Sequence, residues 1–415
     1  MDTTALTGIR LKEEVDLLAF FEKSLNLKAI NNLMAFKERE SPDNFLPFYM
    51  RGYYLPVSRE FGGKLYVLCR EVASSLGFAD GAIEFYVSNS ADFNATSIYS
   101  SQPEHAHVII FNRALLEKIS EDQLRFVVGH EVGHIIFQHS YASRVIGFVY
   151  PDGSQVPPIM NKLYDLWSKL CEISCDRVGL VASGSIQSSV EALFRISSGL
   201  EEKYFDLTYD SLVQLAEHTF EEMKAHPSYL SISHPANPVR IKALLTFEQS
   251  QQYHQLLAGA PATDDHALDL AMDEVLSILR RTPLNDQEQT ELRFLASSGL
   301  LLMGATESCN KDEYDYLINM LSQYIQWPPM YLQSLEKENL TDVMVDEART
   351  IVEKYPYRTR DLLATLFPVI IRDRRIDDRE LEFFVRVGTQ ELHITASEVF
   401  DLLLNGIRAM YRPLA

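Results

Sequence analysis

Two histidines one helical turn apart, with a glutamate beside the first, form the group His130-Glu131-Val132-Gly133-His134. On a helix, residues i and i+4 share a face, so both imidazoles can reach one metal ion. Glu131 falls on the neighbouring face, within reach of a water at the metal rather than of the metal itself. Two nitrogen ligands with an adjacent base are the arrangement of zinc hydrolases. The plainer reading is a pair of histidines on an ordinary core helix.

Catalytic zinc wants three protein ligands and an open fourth position. The stretch Leu170 to Gly179 offers Glu172 and Asp176, again four residues apart and so on one face. We assign Glu172 to the metal. Asp176 would accept the outer N–H of a ligand histidine, His130 first, and so fix its tautomer. Paired carboxylates usually mark a solvated face, but Leu166, Trp167, Leu170, Val178 and Leu180 around them argue for burial. Cys171 and Cys175 could instead hold a structural zinc as thiolates. That arrangement closes the fourth position and leaves Glu131 without a purpose.

These groups need rigid elements. Ser120, with Gln123 in the capping-box position, predicts a helix from about Glu121 to Gln138. Upstream, Leu65, Val67, Leu68, Val72 and Leu76 predict an amphipathic helix over 64–77. Residues 84–87, 96–99 and 107–111 read as short strands, the last two joined as a hairpin through Ser101 to Glu104. A helix over about 160–182 would carry Glu172, with a loop over 147–158 before it. The fold class expected is α+β and predominantly helical. Residues 1–60 form an N-terminal helical segment packing on a core of residues 61–257, which has a small sheet beside the histidine helix. After a linker at 258–263, residues 264–415 form an all-α domain. Its polar turn from Asp373 lacks the spacing and central glycine of a calcium loop.

The helix Phe126 to His134, with His139 just after it, resembles the HtpX and CAAX prenyl endopeptidase family of gluzincin metallopeptidases. So do Asn94-Ala95, Ile109 to Leu116, Glu172 with Asp176 and Gly179, and Ser233-His234-Pro235 with Arg240-Ile241. The resemblance spans roughly residues 60–250. It implies a zincin-type peptidase domain with one zinc ion, His130, His134 and Glu172 as ligands and Glu131 as general base. It also implies that His234 approaches the substrate side of the metal, where it could donate to an oxyanion, and that Arg240 braces that element. His139 would support the ligands or the packing rather than bind metal. Asn94, Ala95 and Thr96, at the sheet edge, would bind the substrate main chain as an added strand. The C-terminal helices resemble TerB-like domains over one or two short segments, which points to an accessory domain with a possible protein partner.

Composition narrows the setting. Lys and Arg number 38 against 58 Asp and Glu, and a net charge of −20 repels nucleic acid and anionic lipid. Four cysteines suit a reducing compartment. No run approaches the roughly 20 apolar residues of a membrane span, and residues 1–30 show no apolar leader. The chain is therefore expected to be a cytoplasmic zinc endopeptidase acting on protein or peptide substrates, without nucleic acid or transmembrane anchoring. The alternative is a catalytically silent or self-inhibited peptidase-fold scaffold that binds and regulates other proteins.

Overall fold

A computed structural model describes residues 3–40, 46–100, 105–151, 156–199, 208–225, 235–260, 263, 265–280, 284–305, 311–325, 328–371 and 377–410. It divides into two compact units, Met1–Val156 with Asp165–Leu279, and Pro157–Tyr164 with Arg280–Ala415.

The first unit opens with four helices, α1 (Thr3–Thr7), α2 (Lys12–Leu25), α3 (Leu27–Glu40) and α4 (Leu46–Tyr53). Strand β1 (Leu55–Pro56) and helix α5 (Gly63–Ser75) lead into β2 (Ile83–Ser88), β3 (Ala95–Ile98) and β4 (His107–Asn112). The sheet order is β1-β2-β4-β3, with β2 and β4 parallel and both outer pairs antiparallel. Strand β3 is therefore an edge. The hairpin expectation agrees with the β3–β4 pairing, in which Ala95 faces Phe111 and Thr96 faces Ile110. Its turn at 101–104 lies outside the described residues. The two-residue β1 is too short to leave a pattern in the sequence.

After α6 (Arg113–Lys118) comes α7 (Glu121–Ile136), the helix of the two histidines. Its start is a full capping box: Ser120 Oγ accepts from the Gln123 N–H while the Gln123 side chain accepts from the Ser120 N–H. It stops two residues earlier than expected, because Gln138 adopts a left-handed conformation (φ 56°) and starts α8 (His139–Val149) in a new direction. The expected 147–158 loop is thus shortened at its start.

Helix α9 (Pro158–Ser183) follows, and its residues from Asp165 onward belong to this unit. Then come α10 (Ile186–Ser198), α11 (Tyr209–Ala225), α12 (Asn237–Glu248), α13 (Gln251–Leu257) and α14 (His266–Arg280). Helices α7 and α9 cross closely because glycines line the crossing. A Cβ on Gly129 would lie 2.4 Å from the Ala182 Cβ, and one on Gly179 would lie 2.8 Å from Phe126. No other residue type permits that approach.

The N-terminal segment is tied to α9 by buried bonds: the Leu11 N–H donates to Ser174 Oγ (3.0 Å) and Arg177 Nη1 to the Ile9 carbonyl (2.9 Å). Leu6, Ile9, Leu17 and Phe21 are fully buried, so this segment is part of the core by the ordinary hydrophobic measure.

The second unit is all helix: α15 (Asp286–Met303), α16 (Lys311–Leu321), α17 (Pro328–Leu335), α18 (Leu340–Lys354), α19 (Thr359–Ile371), α20 (Asp378–Arg386) and α21 (Ala396–Met410), with short helical turns at 356–358 and 387–391. Its core gathers Phe294, Leu317, Met344, Leu363, Ile370 and Val399. Most of the polar turn singled out in the sequence, from Asp373, falls outside the described residues. The molecule has the expected class, predominantly helical with one small sheet and an all-helical C-terminal region. Among the described residues no helix is long and apolar enough to cross a membrane.

Candidate metal centre

Three side chains from two helices converge on one point. His130 Nε2 and His134 Nε2, both from α7, are 3.2 Å apart. Glu172, from α9, places Oε2 3.5 Å from His130 Nε2 and Oε1 3.4 Å from His134 Nε2. An ion about 2.0–2.1 Å from tetrahedral nitrogen and oxygen ligands holds them about 3.3–3.4 Å apart. The donor set and its spacing fit a zinc-sized cation. The close α7–α9 crossing at Gly129 and Gly179 is what lets a carboxylate on one rod meet imidazoles on the other.

The proton pattern fits as well. His130 Nδ1 lies 2.9 Å from Asp176 Oδ1. A carboxylate only accepts, so Nδ1 carries a proton and Nε2 is the nitrogen left to bind a metal at the shared point. Asp176 is itself fully buried and clamped by Arg240, whose Nε and Nη2 donate at 2.7 and 2.6 Å to its two oxygens. This is the planar two-point pairing that guanidinium makes best. Arg240 Nη2 also stands 3.6 Å from Glu172 Oε2.

Burial alone would lower the His130 pKa, but hydrogen bonds and charge from Asp176 and Glu172 override it and raise it to about 10. Burial would raise Glu172, yet its bonds and charge pairing with His130 and His134 hold it well below the usual carboxylate range. The two carboxylates thus hold a positive charge at this point: without a metal it is a proton on His130, which a bound cation would displace to free the Nε2 lone pair.

Two further groupings, which have His139 in common, lie beside the centre: Glu14 with His139 and Cys171, and His134 with His139 and Cys175. Burial pushes both thiols well above their ordinary range. Metals bind the thiolate, so these thiols are poor ligands beside the imidazole–carboxylate set.

A cavity of about 640 Å³ opens over the centre, lined by His130, Glu131, His134, Glu172 and Arg240. Residues Asn94, Ala95 and Thr96 of the sheet edge line it too, as do Phe93, Phe126, Trp167 and Ile196. Glu131 and the edge strand expected to bind substrate therefore share one space with His130, His134 and Glu172. His234 lies outside the described residues. Pro235, next to it, is buried in the wall of the same cavity.

His139 was expected to support the site, and the structure gives it a definite partner set. Its Nδ1 lies 2.9 Å from His134 Nδ1, and its Nε2 lies 3.0 Å from Glu14 Oε1. The turn at Gln138 aims it there, so α8 begins with a side chain set against His134. Glu14, from α2, is fully buried and held by Arg10 through both Nε and Nη2. Burial would raise the Glu14 pKa, but His139 and then Arg10 outweigh it and bring it down to about 2. Burial takes His139 down to about 4 against the opposing pull of Glu14. The sequence reading missed Glu14 and Arg10. The only signal available was an acidic residue at a core-facing position of an amphipathic helix, with Leu17 and Phe21 on the same face.

Comparisons with known proteins agree with this location. Residues 63–151 match peptidase family M48. The chain is 23% identical over 219 residues to the plastoglobule-localized metallopeptidase 48, chloroplastic, of Arabidopsis thaliana, covering 49% of this chain and 62% of that protein. The match thus spans less than two thirds of the relative's length. No solved structure gives a significant match. The matched stretch runs from α5 to α8 and bears both histidines and the glutamate between them, so it is over these elements that the chain is similar to peptidase family M48.

Proposed function

We propose that the chain is a zinc-dependent endopeptidase that hydrolyses peptide bonds of protein substrates. The observation that carries this reading is the convergence of His130, His134 and Glu172 at 3.2–3.5 Å on the wall of a cavity that Glu131 and strand β3 also line. Zinc bound there supplies a Lewis acid that lowers the pKa of water toward ~7 and polarises a carbonyl.

The chain's own groups do the rest. Glu131 takes the proton of the attacking water and passes it to the leaving amine. Asp176 and Arg240 hold the His130 ring in place, and His234 donates to the developing oxyanion. An extended substrate adds to the free edge of β3 at Asn94, Ala95 and Thr96. The Ala95 N–H now donates to Asn94 Oδ1 at 2.9 Å. A substrate backbone that uses this donor displaces the Asn94 side chain, which makes strand addition an exchange of hydrogen bonds rather than a simple gain.

The acidic chain and its few cysteines suit action in the cytoplasm. The helical second unit acts as an accessory docking domain, in keeping with the TerB-like pattern of its turns.

The test is Glu131→Gln. It should leave zinc bound while lowering casein hydrolysis by about 10²–10⁴-fold. Hydrolysis near the wild-type rate would remove Glu131 from the role of base. Absence of chelator-sensitive hydrolysis in the wild type would favour the silent scaffold, and mass spectra of the products separate internal cleavage from trimming at a terminus.

A further inference from the structure

The second metal histidine is supported by a route that begins outside the stretch matched to family M48. Glu14 Oε1 lies 3.0 Å from His139 Nε2, and His139 Nδ1 lies 2.9 Å from His134 Nδ1. Two ring nitrogens face each other across the second contact, so one must donate and the other accept. The Glu14 carboxylate, paired with Arg10 through two donors, can only accept. His139 Nε2 therefore carries the proton. In a neutral imidazole this leaves a lone pair on His139 Nδ1, so His134 Nδ1 must donate to it. His134 Nε2 is then the bare nitrogen, and it is the atom 3.2 Å from His130 Nε2 and 3.4 Å from Glu172 Oε1. Run in reverse, the same chain would put a proton on His134 Nε2 and aim an N–H at the ion.

We propose that Glu14 is a positioning residue of the metal centre: by fixing the direction of the Glu14–His139–His134 hydrogen-bond chain, it selects the His134 tautomer that can bind metal. The proposal rests on the metal reading above and adds a member to the site from α2, more than a hundred residues from either histidine of α7. Asp176 does the same for His130 in one step, where Glu14 acts on His134 in two. Cys175 Sγ stands 3.5 Å from His139 Nδ1. It is the group that nitrogen would turn to as a donor if the carboxylate were lost, and that tautomer is the one that spoils His134.

The experiment uses the full chain and three readouts: zinc affinity by competition with a chelator, the visible spectrum of the cobalt(II)-loaded protein, and thermal unfolding without metal. Glu14→Gln keeps the shape but offers an amide that can donate to His139. It should weaken zinc binding about 10–100-fold and alter the cobalt spectrum. Glu14→Asp, which restores a carboxylate, should recover part of the loss. Phe21→Ala loosens the same helix without touching the chain of bonds, and should lower thermal stability with zinc affinity within about twofold of wild type.

Wild-type zinc affinity in Glu14→Gln, or an equal loss in Phe21→Ala, overturns the proposal. If Glu14→Gln does not fold, His139→Phe, which fills the space and breaks the chain, should show the same 10–100-fold loss; unchanged affinity there overturns it equally. A wild-type chain that binds no zinc would instead overturn the metal reading itself, so the two failures are distinguishable.

Discussion

The two imidazoles of α7 are held by opposite means. His130 leans directly on Asp176, which an arginine on α12 clamps, and all of these groups come from the helices packed about the centre. His134 leans on another imidazole, His139, and the charge that orders it arrives from α2. The first support is strong, ionic and local to the metal helices. The second is a relay, weaker at each link and dependent on a distant segment staying docked. A histidine pair that looks symmetric along the helix is thus asymmetric in what keeps it in place.

The largest expected effect breaks the first support. Asp176→Asn leaves Arg240 buried without its counter-charge, which costs about 3–5 kcal/mol of stability. It should also weaken zinc binding about 10–100-fold, because the His130 tautomer is no longer dictated. Thermal melts and chelator competition measure both. An affinity loss without a stability loss would mean that Arg240 finds another partner.

Acid and base should then separate the two supports in the metal-free protein. Glu14 sits near 2 against an ordinary 4.5, so its contribution is full above about pH 4.5 and is lost as pH falls toward 2. His139, near 4 rather than 6.5, must gain a proton on unfolding, so stability also falls as pH drops from 6.5 toward 4. His130 runs the other way: raised to about 10, it stabilises fully below pH 6.5 and loses that contribution as pH climbs through 10. Each acid step is worth about 3 kcal/mol. Unfolding monitored across pH should show an acid limb that Glu14→Gln flattens below pH 4.5 and an alkaline limb that Asp176→Asn flattens. Loss of both limbs in either variant would merge the two supports into one.

The smallest effect treats both histidines alike. Gly129→Ala places a methyl 2.4 Å from the Ala182 Cβ and forces α7 and α9 apart. A cost of about 1–3 kcal/mol is expected, with zinc affinity reduced in equal measure in the wild-type and Glu14→Gln backgrounds. Non-additive losses would show that the crossing and the relay are coupled.

Much of this was legible in the residues. The capping box at Ser120, the histidine pair, the i, i+4 carboxylates of α9 and the strand patterns are local features, fixed by spacing within a few residues. The class of fold followed from them. What stayed hidden depends on contacts between distant segments. Glu14 looks like any acidic residue of an amphipathic helix, and only its buried place against His139 gives it a role. The left-handed Gln138 is not a glycine and so carries no mark of a turn. The parallel pairing of β2 with β4 is set by how the sheet closes, which strand patterns alone do not specify.

The groups that make and support the centre run from Arg10 to Arg240, on both sides of residues 63–151. A fragment trimmed to those residues would keep both histidines and Glu131 yet lack Glu172, Asp176, Arg240 and Glu14. During synthesis the ribosome must deliver the chain beyond Arg240 before the last of these side chains emerges. On the proposed reading, metal capture by these groups is thereby deferred until α12 has joined the helices that precede it, and a product that stops short of Arg240 lacks the clamp on Asp176.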